Sequence, residues 1–188
     1  MKNIIIFASG SGSNAENIIQ HFKGSNEVRV VAIFSNNSDA GVLARAAKYG
    51  IPAHTFTRSQ WTSGEGIDDL ISSYQPDCIV LAGFLWLFPE RLLQRYEGKV
   101  LNIHPALLPK YGGKGMYGDH VHRAVLAAKE EYHGVTVHFV NAKYDEGKIL
   151  LQESFEVAAS ETLESITHKI HELEYTLYPK AIELFMAQ

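Results

Sequence analysis

The chain has 188 residues, 46% of them hydrophobic and 20% charged, and a formal net charge of −4. These values suit one soluble globular domain over residues 1–188 and exclude disorder, collagen-like repetition and coiled coil. A single cysteine, Cys78, excludes an intramolecular disulfide framework and fits a reducing compartment, and the acidic balance gives no electrostatic reason to expect a nucleic-acid partner.

The chain opens on an apolar run at residues 3–7, the pattern of a strand buried on both faces. A Gly/Ser turn leads to a helix over 14–22, then a strand over 28–34 and a helix over 40–49 closed by Gly50 and Pro52. A short strand over 53–56, a helix over 67–74, a strand over Cys78–Leu81, a helix from about Pro89 and a strand over 100–103 complete a repeating βα pattern. That alternation predicts an α/β fold: one doubly wound, mostly parallel sheet with helices on both faces. Strands at 135–140 and 149–155 flank a polar stretch, so an antiparallel pair and a mixed sheet edge are expected. From Thr162 a long amphipathic helix runs to about Phe185, with a bend expected before Pro179. The run at residues 4–8 is too short for a signal-peptide core, and residues 78–88 are too few to cross a bilayer. A cytoplasmic protein with no membrane partner is expected.

Ligands bind open α/β sheets at the carboxyl ends of strands, where strand order reverses. Three unusual loops fall at such ends. The first, Ser9-Gly-Ser-Gly-Ser-Asn14, allows close backbone approach and places amides at a helix N-terminus, as a phosphate cradle does; its structural alternative is a tight turn with Ser13 as helix cap. No acidic residue ends the second strand, which weighs against a dinucleotide, and no lysine stands in the nucleoside-triphosphate position. The second loop, Ala82-Gly-Phe-Leu-Trp-Leu-Phe-Pro89, either packs onto the sheet or lines a flat apolar pocket for a heteroaromatic ring. In the third, Asn102 and His104 are two apart at a strand end, so both side chains share a face, and Pro105 stops the strand after them. An amide donor beside an imidazole suits oxyanion stabilisation and proton transfer. Asp145 is one candidate among several for a carboxylate partner. His120 and His122, at a helix start, face different ways and chelate poorly, so no metal is expected.

The run Asn102-Ile-His-Pro-Ala-Leu-Leu-Pro109, then Gly134-x-Thr-Val-His138, Asp145-x-Gly147 and Gln152, resembles the folate-dependent formyltransferase superfamily. The resemblance covers residues 3 to about 186 and is nearest to the branch that acts on glycinamide ribonucleotide. It implies a Rossmann-like formyltransferase fold in which Asn102, His104 and Asp145 are catalytic. The formyl group would pass from the co-substrate 10-formyltetrahydrofolate to an amine by direct attack through a tetrahedral intermediate, as a step of purine synthesis. It further implies that Gly12, Ser13 and Asn14 bind the substrate phosphate with His171 near it, that Glu174 contacts the ribose, and that Leu85, Trp86, Leu87, Phe88, Val140 and Asn141 hold the folate. The partners implied are these small molecules, for a monomer or homodimer. Three departures stand out: Ala106 replaces the usual Ser, Trp86 a common Arg, and residues 113–118 form a longer connection. The alternatives are another small-amine or sugar-nucleotide formyltransferase, a formyltetrahydrofolate deformylase, or a non-catalytic nucleotide-binding regulatory module. The length and acidity are expected of a bare catalytic domain rather than of a tRNA-directed member.

Overall fold

Fully apolar strands need cover on both faces, and the fold supplies it. The structure, a computed structural model, describes residues 1–187. Its strands form one seven-stranded sheet in the order β3-β2-β1-β4-β5-β6-β7, where β1 is Lys2–Phe7, β2 Val28–Ser35, β3 Ala53–Thr55, β4 Cys78–Leu81, β5 Val100–His104, β6 Tyr132–Phe139 and β7 Ile149–Glu156. The chain divides into two compact units, Met1–Leu101 and residues 102 onward.

In the first unit β1 pairs in parallel with β2 and β4, and β2 with β3. The chain runs from β1 through α1 (Ser13–His21), β2 and α2 (Gly41–Lys48) to β3 on one side, then returns to lay β4 on the other. That reversal beside β1 is the expected doubly wound switch point. Ile4, Ile5, Ile6 and Phe7 are all fully buried. Phe7 anchors an aromatic cluster: its ring stacks on Phe34 at 5.0 Å and lies 5.4–5.7 Å from Trp61, Phe84 and Phe88. Trp61 sits on α3 (Arg58–Ser63), a helix that the hydrophobic period did not reveal because Trp61 is its one buried residue. Its sequence signal is the capping box of Thr57 and Gln60. The helices α4 (Ile67–Ser73) and α5 (Glu90–Arg95) complete this unit.

In the second unit β6 and β7 pair antiparallel, as the polar stretch between them predicts, with Thr136 opposite Gln152. The register slips between Val137 and His138, a bulge that re-aims the side chain beside it. The strand β6 begins at Tyr132, three residues before the apolar alternation starts, because His133 is buried there against Phe155. The helix α6 (Asp119–Ala127) buries Val121 and Val125 against Ala106, with Tyr111 and Met116 packed alongside. The final helix, α7 (Leu163–Met186), is capped by Thr162, continues through Pro179 and packs on α6, β6 and β7. No helix among the described residues is long and apolar enough to cross a membrane.

Truncating Phe7 to Ala removes the centre of the aromatic cluster and is expected to cost about 3–5 kcal/mol. Calorimetry should show Tm falling by on the order of 10 °C; a shift of 1–2 °C would show that the cluster repacks without it.

Candidate active site

Asn102 and His104 leave β5 on the same side, as their spacing requires, and Asp145 arrives from the β6–β7 loop. Asp145 Oδ2 lies 3.5 Å from His104 Nδ1, and Oδ1 lies 3.5 Å from both Asn102 Nδ2 and His138 Nε2. The carboxylate also accepts a hydrogen bond from the Gly113 amide at 2.9 Å. His104 and His138 are 4% and 2% exposed, whereas Asn102 and Asp145 are partly exposed, so the amide and the carboxylate are the members of the group that solvent reaches.

The hydrogen bonds define the proton positions. His104 Nε2 faces the Tyr111 carbonyl at 2.8 Å and must donate to it, which leaves Nδ1 towards Asp145. His138 Nδ1 donates to the Phe139 carbonyl at 2.8 Å, so Nε2 accepts from the Asn102 amide at 3.1 Å. The second N–H of Asn102 points at Asp145 over 3.5 Å, too long for a good bond, and is the proton it can offer a ligand. Burial lowers the His104 pKa below its ordinary 6.5 even though Asp145 and the Tyr111 carbonyl oppose it. Burial would raise the Asp145 carboxyl, but the neighbouring His138 ring, the field of His104 and the bond from the Gly113 amide together hold it below its usual value. At neutral pH the site therefore pairs an anionic Asp145 with a neutral His104. The imidazolium is a state that the site is built to receive.

His138 belongs to this cluster, and sequence reasoning missed it there. Its signal was the pair Thr136 and His138, polar at period two within an apolar strand. Thr136 donates to the Ala106 carbonyl at 2.6 Å and accepts from the Leu108 amide at 3.1 Å and Gln152 Nε2 at 2.8 Å. Gln152 also donates to the Leu108 carbonyl, so β6 and β7 together clamp the turn after His104. Ala106 is fully buried among apolar neighbours, which gives a serine hydroxyl at that position no evident need. Gly134 and Gly147 are required by close approach, since a Cβ would lie 2.1 Å from the Glu153 carbonyl and 1.6 Å from that of Phe139.

In the first unit, Gly12 is the N-cap of α1 with φ 76°, and a Cβ there would meet Val42 at 2.5 Å. No side chain caps the helix, so Ser13 is its first residue rather than its cap, and the amides at Ser13 and Asn14 begin α1. Ser9 ties this loop to its neighbours: its hydroxyl donates to Asn36 Oδ1 at 2.6 Å and accepts from the Leu85 amide at 3.0 Å. Leu85 and Leu87 are exposed, Trp86 lies under the Arg58 guanidinium at 4.6 Å, and the Phe88 ring is buried in the aromatic core. A ligand at Phe88 would therefore meet backbone. In the second unit Val140 and Asn141 follow β6, Glu174 is buried on α7, and His171 is exposed with its ring against Tyr175.

The family model for formyl transferase matches residues 2–182. The chain belongs to the formyl transferase family. Among formyl transferases it is 40% identical to the phosphoribosylglycinamide formyltransferase of Escherichia coli strain K12, over 97% of this chain and 86% of that one. It is 38% identical to the chloroplastic phosphoribosylglycinamide formyltransferase of Arabidopsis thaliana, covering 96% of this chain but only 64% of that relative's length. The crystal structure of phosphoribosylglycinamide formyltransferase from Anaplasma phagocytophilum superposes with a TM-score of 0.91 at 30% identity, over 100% of this chain and 87% of that chain.

Among the described residues no group of three or more His, Cys, Asp or Glu side chains is placed to hold a metal ion. His120 is exposed beside Tyr117, whereas His122 is buried with its Nδ1 3.0 Å from His133 Nε2. Burial, with His122 and His104 adding to it, lowers His133 to about 4. The unfolded chain takes up this proton near 6.5 and the folded one only near 4, so stability is full above pH 6.5 and falls as pH drops towards 4. The loss amounts to about 3 kcal/mol at the acid end. Urea midpoints of His133→Phe at pH 7 and pH 4.5 are expected to differ much less than those of the wild type; an equal difference would place the acid sensitivity elsewhere.

Proposed function

We propose that this chain, acting as one cytoplasmic catalytic domain over residues 1–188, transfers the formyl group of 10-formyltetrahydrofolate to the amine of glycinamide ribonucleotide in purine synthesis. The observation that carries the reading is the half-buried cluster of Asn102, His104 and Asp145, which brings an amide donor, a neutral imidazole and a carboxylate together. The names of the relatives supply the acceptor. The uncapped start of α1 supports assigning the substrate phosphate to Gly12, Ser13 and Asn14, because helix-terminal amides attract anions. Glu174 is assigned to the ribose, and His171, one turn before it on α7, to the phosphate side. Leu85, Trp86, Leu87 and Phe88, with Val140 and Asn141, are assigned to the folate, the exposed leucines offering apolar cover for a flat ring.

In this proposal the amine nitrogen attacks the formyl carbon and the carbonyl electron pair moves onto oxygen. Asn102 donates its loosely held N–H to that oxygen as charge develops. The proton lost by the amine passes to Asp145 or His104. Protonated His104 donates from Nδ1 to Asp145 and from Nε2 to the Tyr111 carbonyl, so both protons of the cation have partners. The carbonyl re-forms, the bond to the folate nitrogen breaks, and that nitrogen takes the proton. The mechanism calls on no metal and no covalent bond to the protein.

Following absorbance as 10-formyltetrahydrofolate is consumed tests the reading directly. Turnover is expected with glycinamide ribonucleotide present and not without an amine; formate release in its absence would instead indicate a deformylase. Asp145→Asn should lower kcat by about 10²–10⁴ in a protein that still folds, with a somewhat lower urea midpoint at pH 7 because the paired charge is gone. The wild-type rate is expected to hold as pH falls through 6.5 and to drop only below it, because burial keeps His104 neutral there. Near-normal turnover in Asp145→Asn would remove that carboxylate from the chemistry.

A further inference from the structure

The loop after Pro109 touches both catalytic partners through its backbone. The Tyr111 carbonyl accepts from His104 Nε2 at 2.8 Å, and two residues later the Gly113 amide donates to Asp145 Oδ2 at 2.9 Å. Tyr111 has φ 57°, a left-handed backbone that a bulky non-glycine residue adopts only when its surroundings impose it. What imposes it lies on the far side of the loop. The Tyr111 hydroxyl donates to Glu130 Oε1 at 2.8 Å, and Lys110 Nζ lies 3.0 Å from both Glu130 oxygens. Glu130 is in turn delivered by a left-handed turn at Lys129, φ 51°, just past the C-terminus of α6.

We propose that Glu130 is a positioning residue: by holding the Tyr111 side chain it fixes the loop carbonyl that selects the His104 tautomer and the loop amide that seats Asp145. The inference rests on the catalytic reading of His104 and Asp145 given above. The chain of contacts is continuous, from Glu130 through the Tyr111 phenol and backbone to the His104 ring, and every link is a hydrogen bond of normal length. The phenol and carboxylate are matched for it. Burial and Glu130 raise the Tyr111 pKa, whereas Lys110 and Tyr111 lower that of Glu130, so an O–H faces an anion. Of the two partners of Glu130, Tyr111 is the one that matters. Lys110 is 66% exposed, and an exposed ion pair contributes little.

The test separates positioning from plain stability. Ring-¹⁵N spectra of His104 at pH 8 are expected to show the Nε2–H tautomer in the wild type and a mixture of tautomers in Tyr111→Phe and Glu130→Ala. In both variants kcat should fall about tenfold, KM for each substrate should stay within about twofold, and the acid limb of the rate profile should move to lower pH, since His104 loses a bond that favours its charged form. Glu130→Gln, which keeps an acceptor for the phenol, and Lys110→Met should both remain within about threefold of wild type. The double variant Tyr111→Phe/Glu130→Ala should be no slower than either single one. An unchanged His104 tautomer in the nearly isosteric Tyr111→Phe overturns the proposal, as does a fall in kcat that Glu130→Gln shares in full. The tautomer measurement needs no substrate, so it decides the question even if glycinamide ribonucleotide is not the acceptor.

Discussion

The second unit is organised around one buried negative charge. An ionised carboxylate out of water is costly unless every oxygen has a partner. Asp145, with only 10% of its side chain exposed, is ringed by His104, His138, Asn102 and the Gly113 amide. Much of the local backbone serves that seat. Asp145 itself is left-handed at φ 57°, Gly147 lets the loop pass against the Phe139 carbonyl, and a side chain at Gly112 would approach the Asp145 Cβ to 3.1 Å. The same arrangement explains why His104 rests neutral: burial outweighs the anion beside it, so the site stores a proton acceptor whose charged form already faces a hydrogen-bonded carbonyl and a carboxylate.

Such a site works only if its parts do not relax when charge moves. The turn that follows His104 is clamped by Thr136 and Gln152 from neighbouring strands, while Ala106 and Met116 bury its underside against α6. The connection at residues 113–118 thus contributes twice: Gly113 donates to the carboxylate and Met116 packs on the apolar cluster. In the first unit Ser9 plays a comparable part, joining the glycine loop before α1 to the strand end at Asn36 and the loop at Leu85.

Elements with a strong period were legible from residues alone. The strands β1, β2 and β4, the antiparallel β6–β7 pair and α7 all announce themselves by apolar runs or amphipathic spacing. The helix α3 did not, because six residues carrying one buried side chain have no period to read, and β6 begins early because histidine can be a core residue when it has a partner. At the site, Asn102 and His104 could be paired from spacing on one strand. Asp145 was one acid among several until the resemblance singled it out, and His138 was read as a motif residue without a role. Sequence distance hides such contacts: 36 residues separate His138 from Asn102, yet their nitrogens are 3.1 Å apart.

The sequence by itself determined the fold class, the loops at the strand ends and, through its ordered motifs, the family. These follow from local periodicity and from residue types at short spacing, which a linear reading can see. Tertiary structure alone decided which protons sit where: that His104 donates from Nε2 to Tyr111, that Asn102 is held by His138, and that Asp145 keeps its charge while His104 gives up its own. Protonation depends on burial and on neighbours brought in from distant segments, and neither quantity exists until the chain has folded.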